Sequence, residues 1–228
     1  MAVAEIPDGD GDGVRLSRGV ERRDDPSPGD RPNHTTRLLE LTEQALAEAG
    51  IEWSQLDRIA VGIGPGTFTG LRIGIATAHA LARAQGVGLV GVSTLAALGL
   101  PAADAHRDRS VLAVLDARRG EAFAAAWPAG TSPGRDRPLL EPSVLTPQAL
   151  ERTASELGAG ALAVGDGAVK FAENLRRSGL LVPPADAELH RIAALAHCRL
   201  GATASAGEPG DVQPVYLRQP DAEIARRP

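Results

Sequence analysis

The feature that most constrains the fold is a glycine-rich turn between two different apolar patterns. The apolar run Ile59–Ile63 comes first, the turn spans Gly64–Gly70, and residues 71–85 then repeat apolar side chains at helical spacing. This order predicts a strand, a tight turn and a helix, which together are the building unit of an α/β fold.

Two interpretations of the turn are open from the residues alone. Gly64 and Gly66 allow positive φ angles and close approach of another group, while Thr67 or Thr69 can cap the following helix. The free amides at that helix start suit a phosphate or another anion. The alternative is a structural turn that only permits close packing of helix on strand. The glycine spacing is neither that of a Walker loop nor that of a dinucleotide-binding fingerprint.

Strands and helices alternate on both sides of residue 100. The first part predicts strands at Met1–Ile6, Val14–Val20 and Val87–Val92, and helices at Asn33–Ala49 and from Ser93 to Leu98. The second part predicts strands at Val111–Asp116, Glu121–Trp127, Leu139–Leu145 and Ala161–Val164, and helices at Pro147–Gly158, Val169–Ser178 and Glu188–Thr203. Because the pattern restarts once, we predict two α/β domains with mixed sheets, residues 1–98 and 99–228.

The charge composition argues against tight autonomous binding to nucleic acid. The net charge is −5, Lys170 is the only lysine, and no run of basic residues is longer than two. Neutralisation of phosphates by clustered cations supplies most of the affinity of nucleic-acid-binding proteins. If RNA is involved, we expect another protein to hold most of it. No apolar stretch is long enough to cross a bilayer, so we expect a cytoplasmic protein without membrane contact.

No group of residues has the spacing of a metal site or of a nucleophile with its base. Two imidazoles chelate a metal from one helix when they are four residues apart, and no pair here has that spacing. The five histidines, which we expect at the surface or at helix caps, are His34, His79, His106, His190 and His197. Cys198 stands alone in an apolar helical pattern, which favours a buried structural thiol. The Asp/Gly repeat at residues 8–13 lacks the closing glutamate of a calcium loop. We therefore predict no catalytic residues and no metal site.

Five sequence blocks together resemble the TsaB/YeaZ family. In chain order they are Gly64–Gly74, Gly91–Leu95, Asp116–Glu121, Gly165–Ala168 and Pro214–Arg218. The resemblance runs from about His34 to the C-terminus and implies two actin/hsp70-like domains, each related to ribonuclease H. It also implies the dimerisation subunit of the bacterial tRNA threonylcarbamoyladenosine machinery. Such a subunit is non-catalytic, partners a TsaD-type transferase and a TsaE-type ATPase, and meets tRNA through the complex.

The resemblance implies a partner surface on the helices near residues 33–49 and 71–85. These helices would pack against the equivalent pair of a second subunit as a four-helix bundle, in the complex or in a homodimer of the free protein. The side chains expected there are His34, Leu38, Leu41, Leu71, Ile75, Ala78 and Ala82. The alternative is that both helices are buried within their own domain. We expect no cofactor, with ATP or ADP only at the interface of the complex.

An acid and two arginines follow the predicted strand Val111–Asp116. The resemblance places Asp116 where related folds contact a phosphate, and an aspartate that accepts turn amides is an equally open interpretation. Arg118 and Arg119 suit an anion or a partner carboxylate, and Glu121 suits either arginine across the hairpin.

The chain departs from the family at its first residues. Family members open with a central strand and an Asp-Thr turn, whereas Met1–Ile6 matches the second strand. We therefore expect the first domain to lack its first strand and the true start to lie upstream. A phosphotransferase or ATPase of the actin-like superfamily, the main alternative function, requires that first phosphate-binding strand. A peptidase requires a metal pair or a nucleophile dyad.

Overall fold

The computed structural model describes residues 1–6, 17–24, 34–205, 207 and 209–218 of the 228-residue chain. The chain folds into two compact units. Unit 1 comprises Met1–Ile63, Thr69–Val92 and Ala194–Pro214, and unit 2 comprises Gly64–Phe68, Ser93–Ala193 and Val215–Pro228. No helix in the described ranges combines the length and the apolar character needed to cross a membrane. The Asp/Gly repeat lies outside the described residues.

The described residues of unit 1 form two two-stranded sheets and three α-helices. In chain order its elements are β1 (Ala2–Glu5), β2 (Arg18–Glu21), α1 (His34–Ala49), a 3-10 turn (Trp53–Gln55), β3 (Arg58–Gly64), α2 (Phe68–Gln85), β4 (Gly88–Ser93), and, much later, α7 (Ala194–Thr203) and a second 3-10 turn (Pro209–Asp211). β1 and β2 are antiparallel, with Ala2 opposite Glu21 and Glu5 opposite Arg18. β3 pairs with β4.

Apolar helix faces cover both sheets of unit 1. Val3 packs with Ala45, Leu46 and Ala49 of α1, and Leu89 of β4 packs with Ala78 and Ala82 of α2. α7 contacts β1 and β2. A Cβ atom added to Gly201 of α7 would lie 2.6 Å from Cβ of Ala60 on β3, so glycine permits this close approach.

In the part of unit 2 that the structure describes, four strands form one continuous sheet. Its elements are α3 (Thr94–Ala105), β5 (Val111–Asp116), β6 (Ala122–Trp127), β7 (Leu140–Leu145), α4 (Pro147–Leu157), β8 (Leu162–Val164), α5 (Asp166–Lys170), α6 (Ala172–Arg177) and a 3-10 turn (Glu188–His190). The strand order is β7-β6-β5-β8. Because β5 is antiparallel to β6 and parallel to β8, the sheet is mixed, as predicted.

The described strands of unit 1 form two separate sheets, whereas the strands in the equivalent order in unit 2 belong to one sheet. Both units follow a hairpin with a helix and a strand: β1, β2, α1, β3 in one and β6, β7, α4, β8 in the other. In unit 2 the buried strand β5 joins the hairpin to β8. The described residues of unit 1 contain no such joining strand, and residues 59–63 of β3 are only half-buried.

The unit boundaries differ from the predicted division at residue 98. α7 belongs to unit 1 because it packs on β1 and β2, and residues 93–98 belong to unit 2 because α3 packs on β5 and β8. α3 also continues past Leu98 to Ala105 despite Pro101 inside it. Leu100, Ala102 and Ala103 beside this proline are buried, and their packing outweighs the hydrogen bond lost at Pro101.

Two predicted helices were wrong in their extent. The segment predicted as one helix over Glu188–Thr203 is a 3-10 turn in unit 2 followed by α7 in unit 1. The helix predicted at Val169–Ser178 begins at Asp166 and is interrupted at Phe171. In both places the apolar spacing continues where the helix is interrupted. The interruption therefore reflects packing rather than local helix preference.

Candidate functional site

Four separate segments of the chain meet in unit 2. They are Gly64–Phe68, the turn between β5 and β6, the segment Gly165–Lys170, and the tail Val215–Arg218. Each segment carries part of one of the five sequence blocks described above. The blocks are therefore distant in sequence and close in space.

Asp116, the last residue of β5, is held by a lysine and by backbone amides. Its Oδ1 accepts hydrogen bonds from Nζ of Lys170 at 2.7 Å and from the amide of Arg118 at 2.8 Å. Its own amide donates to Oδ1 of Asp166 at 3.0 Å. The side chain is 15% exposed. Burial acts to raise the pKa of Asp116, but the hydrogen bonds from Lys170 and Arg118 outweigh it, so the pKa lies below its ordinary value.

The turn after Asp116 has three consecutive residues with left-handed backbone. The φ angles are 62° at Arg118, 53° at Arg119 and 78° at Gly120. For residues other than glycine this conformation costs about 1–2 kcal/mol each. The turn is closed by hydrogen bonds from the amide of Ala117 to the carbonyl of Glu121 at 3.1 Å and from the amide of Glu121 to the carbonyl of Arg118 at 3.0 Å. The side chain of Arg118 is 80% exposed, and its Nη1 lies 3.9 Å from Oδ2 of Asp116.

The tail Val215–Arg218 also contacts the turn that follows Asp116. Nη1 of Arg218 donates to the carbonyl of Ala117 at 2.9 Å, and its other terminal nitrogen forms an ion pair with Glu121. The hairpin pattern did not indicate Arg218 as a partner of Glu121, because the two residues are far apart in sequence. The block Pro214–Arg218 thus acquires a structural role: its arginine fixes the tail to the turn.

Two aromatic rings lie at the surface of this site. The centroids of Phe68 and Tyr216 are 5.3 Å apart, with 32° between the ring planes. Each residue is 37% exposed. The chain has only three Phe, two Trp and one Tyr, so this pair uses a third of its aromatic residues.

The residues predicted to contact an anion are divided between the two units. Gly64, Gly66 and Thr67 belong to unit 2, and Thr69 belongs to unit 1. Gly64 is buried with a φ of 119°, whereas Gly66 and both threonines are exposed. Asp116 accepts a turn amide, which agrees with the structural interpretation of that residue. Anion binding stays a prediction at these positions.

Four of the seven side chains predicted at the partner surface are core residues of unit 1. Leu41, Ile75, Ala78 and Ala82 are buried, because the apolar face of each helix packs within its own unit. Leu38 and Leu71 are half-buried, and His34 is the first residue of α1. The exposed positions of α2 are instead Phe68, Thr69, Arg72, Ala76, Ala80 and Arg83–Gln85. The partner surface itself stays a prediction.

His190, predicted at the surface or at a cap, is buried with 7% exposure. Its Nδ1 lies 3.1 Å from both the amide nitrogen and the carbonyl oxygen of Gly165, and its Nε2 lies 3.2 Å from the carbonyl oxygen of Pro183. No apolar periodicity predicts this burial, because the His190 ring contacts backbone atoms of Gly165 and Pro183 rather than packing on a helix face. These contacts hold Gly165 in place directly before Asp166, whose Oδ1 accepts the amide of Asp116.

The described residues group no three His, Cys, Asp or Glu side chains in a way that could hold a metal ion. The unit 2 site offers exposed guanidinium groups and exposed rings around a carboxylate already engaged by Lys170. Its chemistry is suited to contact with another molecule.

Comparisons with known proteins give consistent relatives. The family model described as "TsaD: tRNA N6-adenosine threonylcarbamoyltransferase" matches residues 30–131. The Escherichia coli K12 protein "tRNA threonylcarbamoyladenosine biosynthesis protein TsaB" is 30% identical over 191 residues, 81% of this chain and 80% of that protein. The Haemophilus influenzae protein of the same name is 37% identical over 90 residues, 40% of this chain and 38% of that protein.

A solved structure extends the likeness over nearly the whole chain. "YeaZ from Pseudomonas aeruginosa" superposes with a TM-score of 0.69 at 28% identity and covers 95% of this chain and 93% of that chain. The predicted α/β fold of the actin-like type is thereby confirmed.

Proposed function

The chain belongs to the TsaB (YeaZ) family, and from this membership we propose that it acts in tRNA threonylcarbamoyladenosine biosynthesis as a non-catalytic subunit. The observation that carries the non-catalytic part is the contact between Lys170 and Asp116. An acid at the end of a buried strand is the natural place for a catalytic or metal-binding carboxylate in this fold. Here a lysine of the same chain already neutralises it.

We place the main partner, a TsaD-type transferase, on the exposed face of α2. Arg72, Ala76 and Ala80 follow one another at four-residue spacing and are exposed. Small side chains on a helix surface let a second helix approach closely, since the distance between helix axes depends on the residues at the contact. On α1, the other helix of the predicted partner surface, Leu39 is exposed. The same face would serve a homodimer of the free chain.

The other members of the assembly follow from the same proposal. A TsaE-type ATPase joins the complex, ATP or ADP is bound only at an interface, and tRNA is held mainly by the partners. The net charge of −5 supports this last point, because a tRNA-binding surface needs clustered cations. Such an assembly works in the cytoplasm.

Size exclusion with light scattering tests the partner and its position. The wild-type chain is expected to form a one-to-one complex with the TsaD-type protein of the same source. The double variant Ala76→Trp with Ala80→Trp is expected to stay unbound, since two indoles on this face block helix packing. Ala129→Trp, also at an exposed alanine, is the matched control and should bind as wild type. A double variant that binds normally would contradict the assignment to α2.

Thermal melting distinguishes the proposed function from the alternative, a nucleotide-dependent phosphotransferase. A ligand present at one hundred times its dissociation constant stabilises a protein by about 2.7 kcal/mol. We expect ATP with Mg²⁺ to leave the melting temperature of the isolated chain unchanged. A rise with Mg-ATP would favour the phosphotransferase.

A further inference from the structure

We infer that unit 2 carries a second docking surface, formed by the Phe68–Tyr216 ring pair and the Arg118–Arg119 turn. Its occupant is a partner protein that presents carboxylates beside an aliphatic side chain. The inference rests on the proposed function, because that partner is taken to be a member of the same assembly.

The first observation is the position of the aromatic residues. Trp127 and Phe171 are buried in unit 2, as expected for aromatic residues in a chain with so few. Phe68 and Tyr216 instead stack against each other at the surface, with the exposed Val215 beside Tyr216 in the chain. Aromatic side chains are enriched at protein–protein interfaces and are frequent among the residues that dominate binding.

The second observation is the backbone of the arginine turn. A tight hairpin turn with positive φ angles is formed without strain by Asn-Gly or Gly-Gly, yet Arg118 and Arg119 occupy the left-handed positions here. Strained residues persist where the surroundings fix them, and they concentrate at functional sites. Asp116 fixes the amide of Arg118, and Arg218 fixes the carbonyl of Ala117. Binding of a ligand to the guanidinium groups would explain why this strained backbone is kept.

The third observation joins the rings to the turn. Tyr216 and Arg218 are two residues apart, so their Cα atoms are separated by at most about 7 Å. Arg218 contacts the turn directly, and Tyr216 contacts Phe68. An apolar centre therefore lies next to a cationic rim. Guanidinium groups bind carboxylates through paired hydrogen bonds, which fixes the chemistry of the occupant.

Charge favours a protein over RNA as the occupant. Around the turn, the cations Arg118, Arg119, Lys170 and Arg218 accompany the acids Asp116, Glu121 and Asp166, and Arg118, Lys170 and Arg218 each lie within ion-pair distance of one of these acids. This excess is small for a polyanion that requires several phosphate contacts. A few carboxylates on a protein surface match it.

The experiment measures binding of the wild-type chain and its variants to the TsaD-type transferase, the TsaE-type ATPase and tRNA of the same source. The variants are the double substitution Phe68→Ser with Tyr216→Ser, and Arg119→Glu. Arg152→Glu, at an exposed arginine of α4 in the same unit, is the matched control, and Tyr216→Phe keeps the ring pair. Thermal melting of each variant identifies any that fail to fold, and Arg119→Glu tests the surface independently of ring packing.

We expect the double variant and Arg119→Glu each to weaken binding of at least one protein partner by tenfold or more. Arg152→Glu and Tyr216→Phe should bind as wild type, and tRNA affinity should not change. Protein affinities within twofold of wild type for both variants would overturn the inference, as would a selective loss of tRNA affinity. Dissociation of a wild-type dimer by the variants would also overturn it, because the occupant would be a second copy. If the wild-type chain binds neither protein, the proposed function itself fails.

Discussion

Nζ of Lys170 lies 2.7 Å from Oδ1 of Asp116, so the only lysine of the chain neutralises the acid at the end of the buried strand β5. The same carboxylate oxygen accepts the amide of Arg118. This carboxylate therefore links Lys170 to the arginine turn.

Replacement of Lys170 by Met should lower stability at neutral pH by about 1 kcal/mol, because both partners are partly exposed and solvent screens the pair. The pKa of Asp116 is lowered in the folded state. Its stabilising contribution is therefore present above the ordinary pKa of about 3.9 and is lost as the pH falls through the lowered value. Denaturant unfolding of both proteins at pH 7 and at successively lower pH should show a stability difference that shrinks as the pH falls through the lowered pKa of Asp116. A difference independent of pH would contradict this assignment.

Gly165 should be among the least replaceable residues of unit 2. Its φ is 109°, and an added Cβ would lie 2.1 Å from the carbonyl oxygen of Val114. Gly165→Ala should cost at least about 3 kcal/mol, since it combines backbone strain with a clash against backbone. Gly74→Ala is the matched control: it lies in α2 with open space around it and should stabilise by about 0.5–1 kcal/mol. Equal effects in thermal melting would contradict the packing described for Gly165.

Cys198 should react slowly with thiol reagents. Burial, together with the negative charge of Glu21, raises the pKa of its thiol to about 11, and the sulfur donates to the carbonyl of Ala2 at 3.7 Å. At pH 8 about one thousandth is then thiolate, roughly two hundredfold less than in an unfolded chain. Alkylation by iodoacetamide should be slow in the native protein and fast in guanidinium chloride. Similar rates in both would show that α7 does not cover the thiol.

The strand β3 should exchange its amide hydrogens faster than β5. β3 belongs to a two-stranded sheet and is half-buried, whereas β5 lies between two strands and is buried over residues 111–115. Local opening is easiest where few apolar contacts and few protected hydrogen bonds hold the backbone. Hydrogen exchange with mass spectrometry should show at least roughly tenfold slower exchange in peptides from residues 111–116 than in those from 58–64. Equal protection would mean that the split sheet of unit 1 is as stable as the continuous one.

Local patterns identified most of the secondary structure. The strand Val111–Asp116 has the predicted bounds, because five buried apolar residues between turn signals have few other ways to fold. The start of α2 was placed three residues late, since Phe68 and Thr69 also fit a turn.

Long-range packing accounts for what the sequence did not reveal. The resemblance assigned Ile75, Ala78 and Ala82 to the partner surface, and apolar spacing cannot distinguish a face that meets its own core from one that meets a partner. In the structure these three side chains are buried in unit 1, and the partner surface stays a prediction. Nor does any local signal bring Arg218 to Ala117. We predicted that the first domain lacks the central strand with which family members begin, and this stays a prediction.

The most direct test of the central claim is the rate of threonylcarbamoyl transfer to tRNA in a reconstituted reaction. The TsaD-type transferase, the TsaE-type ATPase, threonylcarbamoyl adenylate and tRNA are combined with or without this chain. We predict modified tRNA only when the chain is present, and none when the chain replaces the transferase. Modification by the chain alone, or an equal rate without it, would contradict the account.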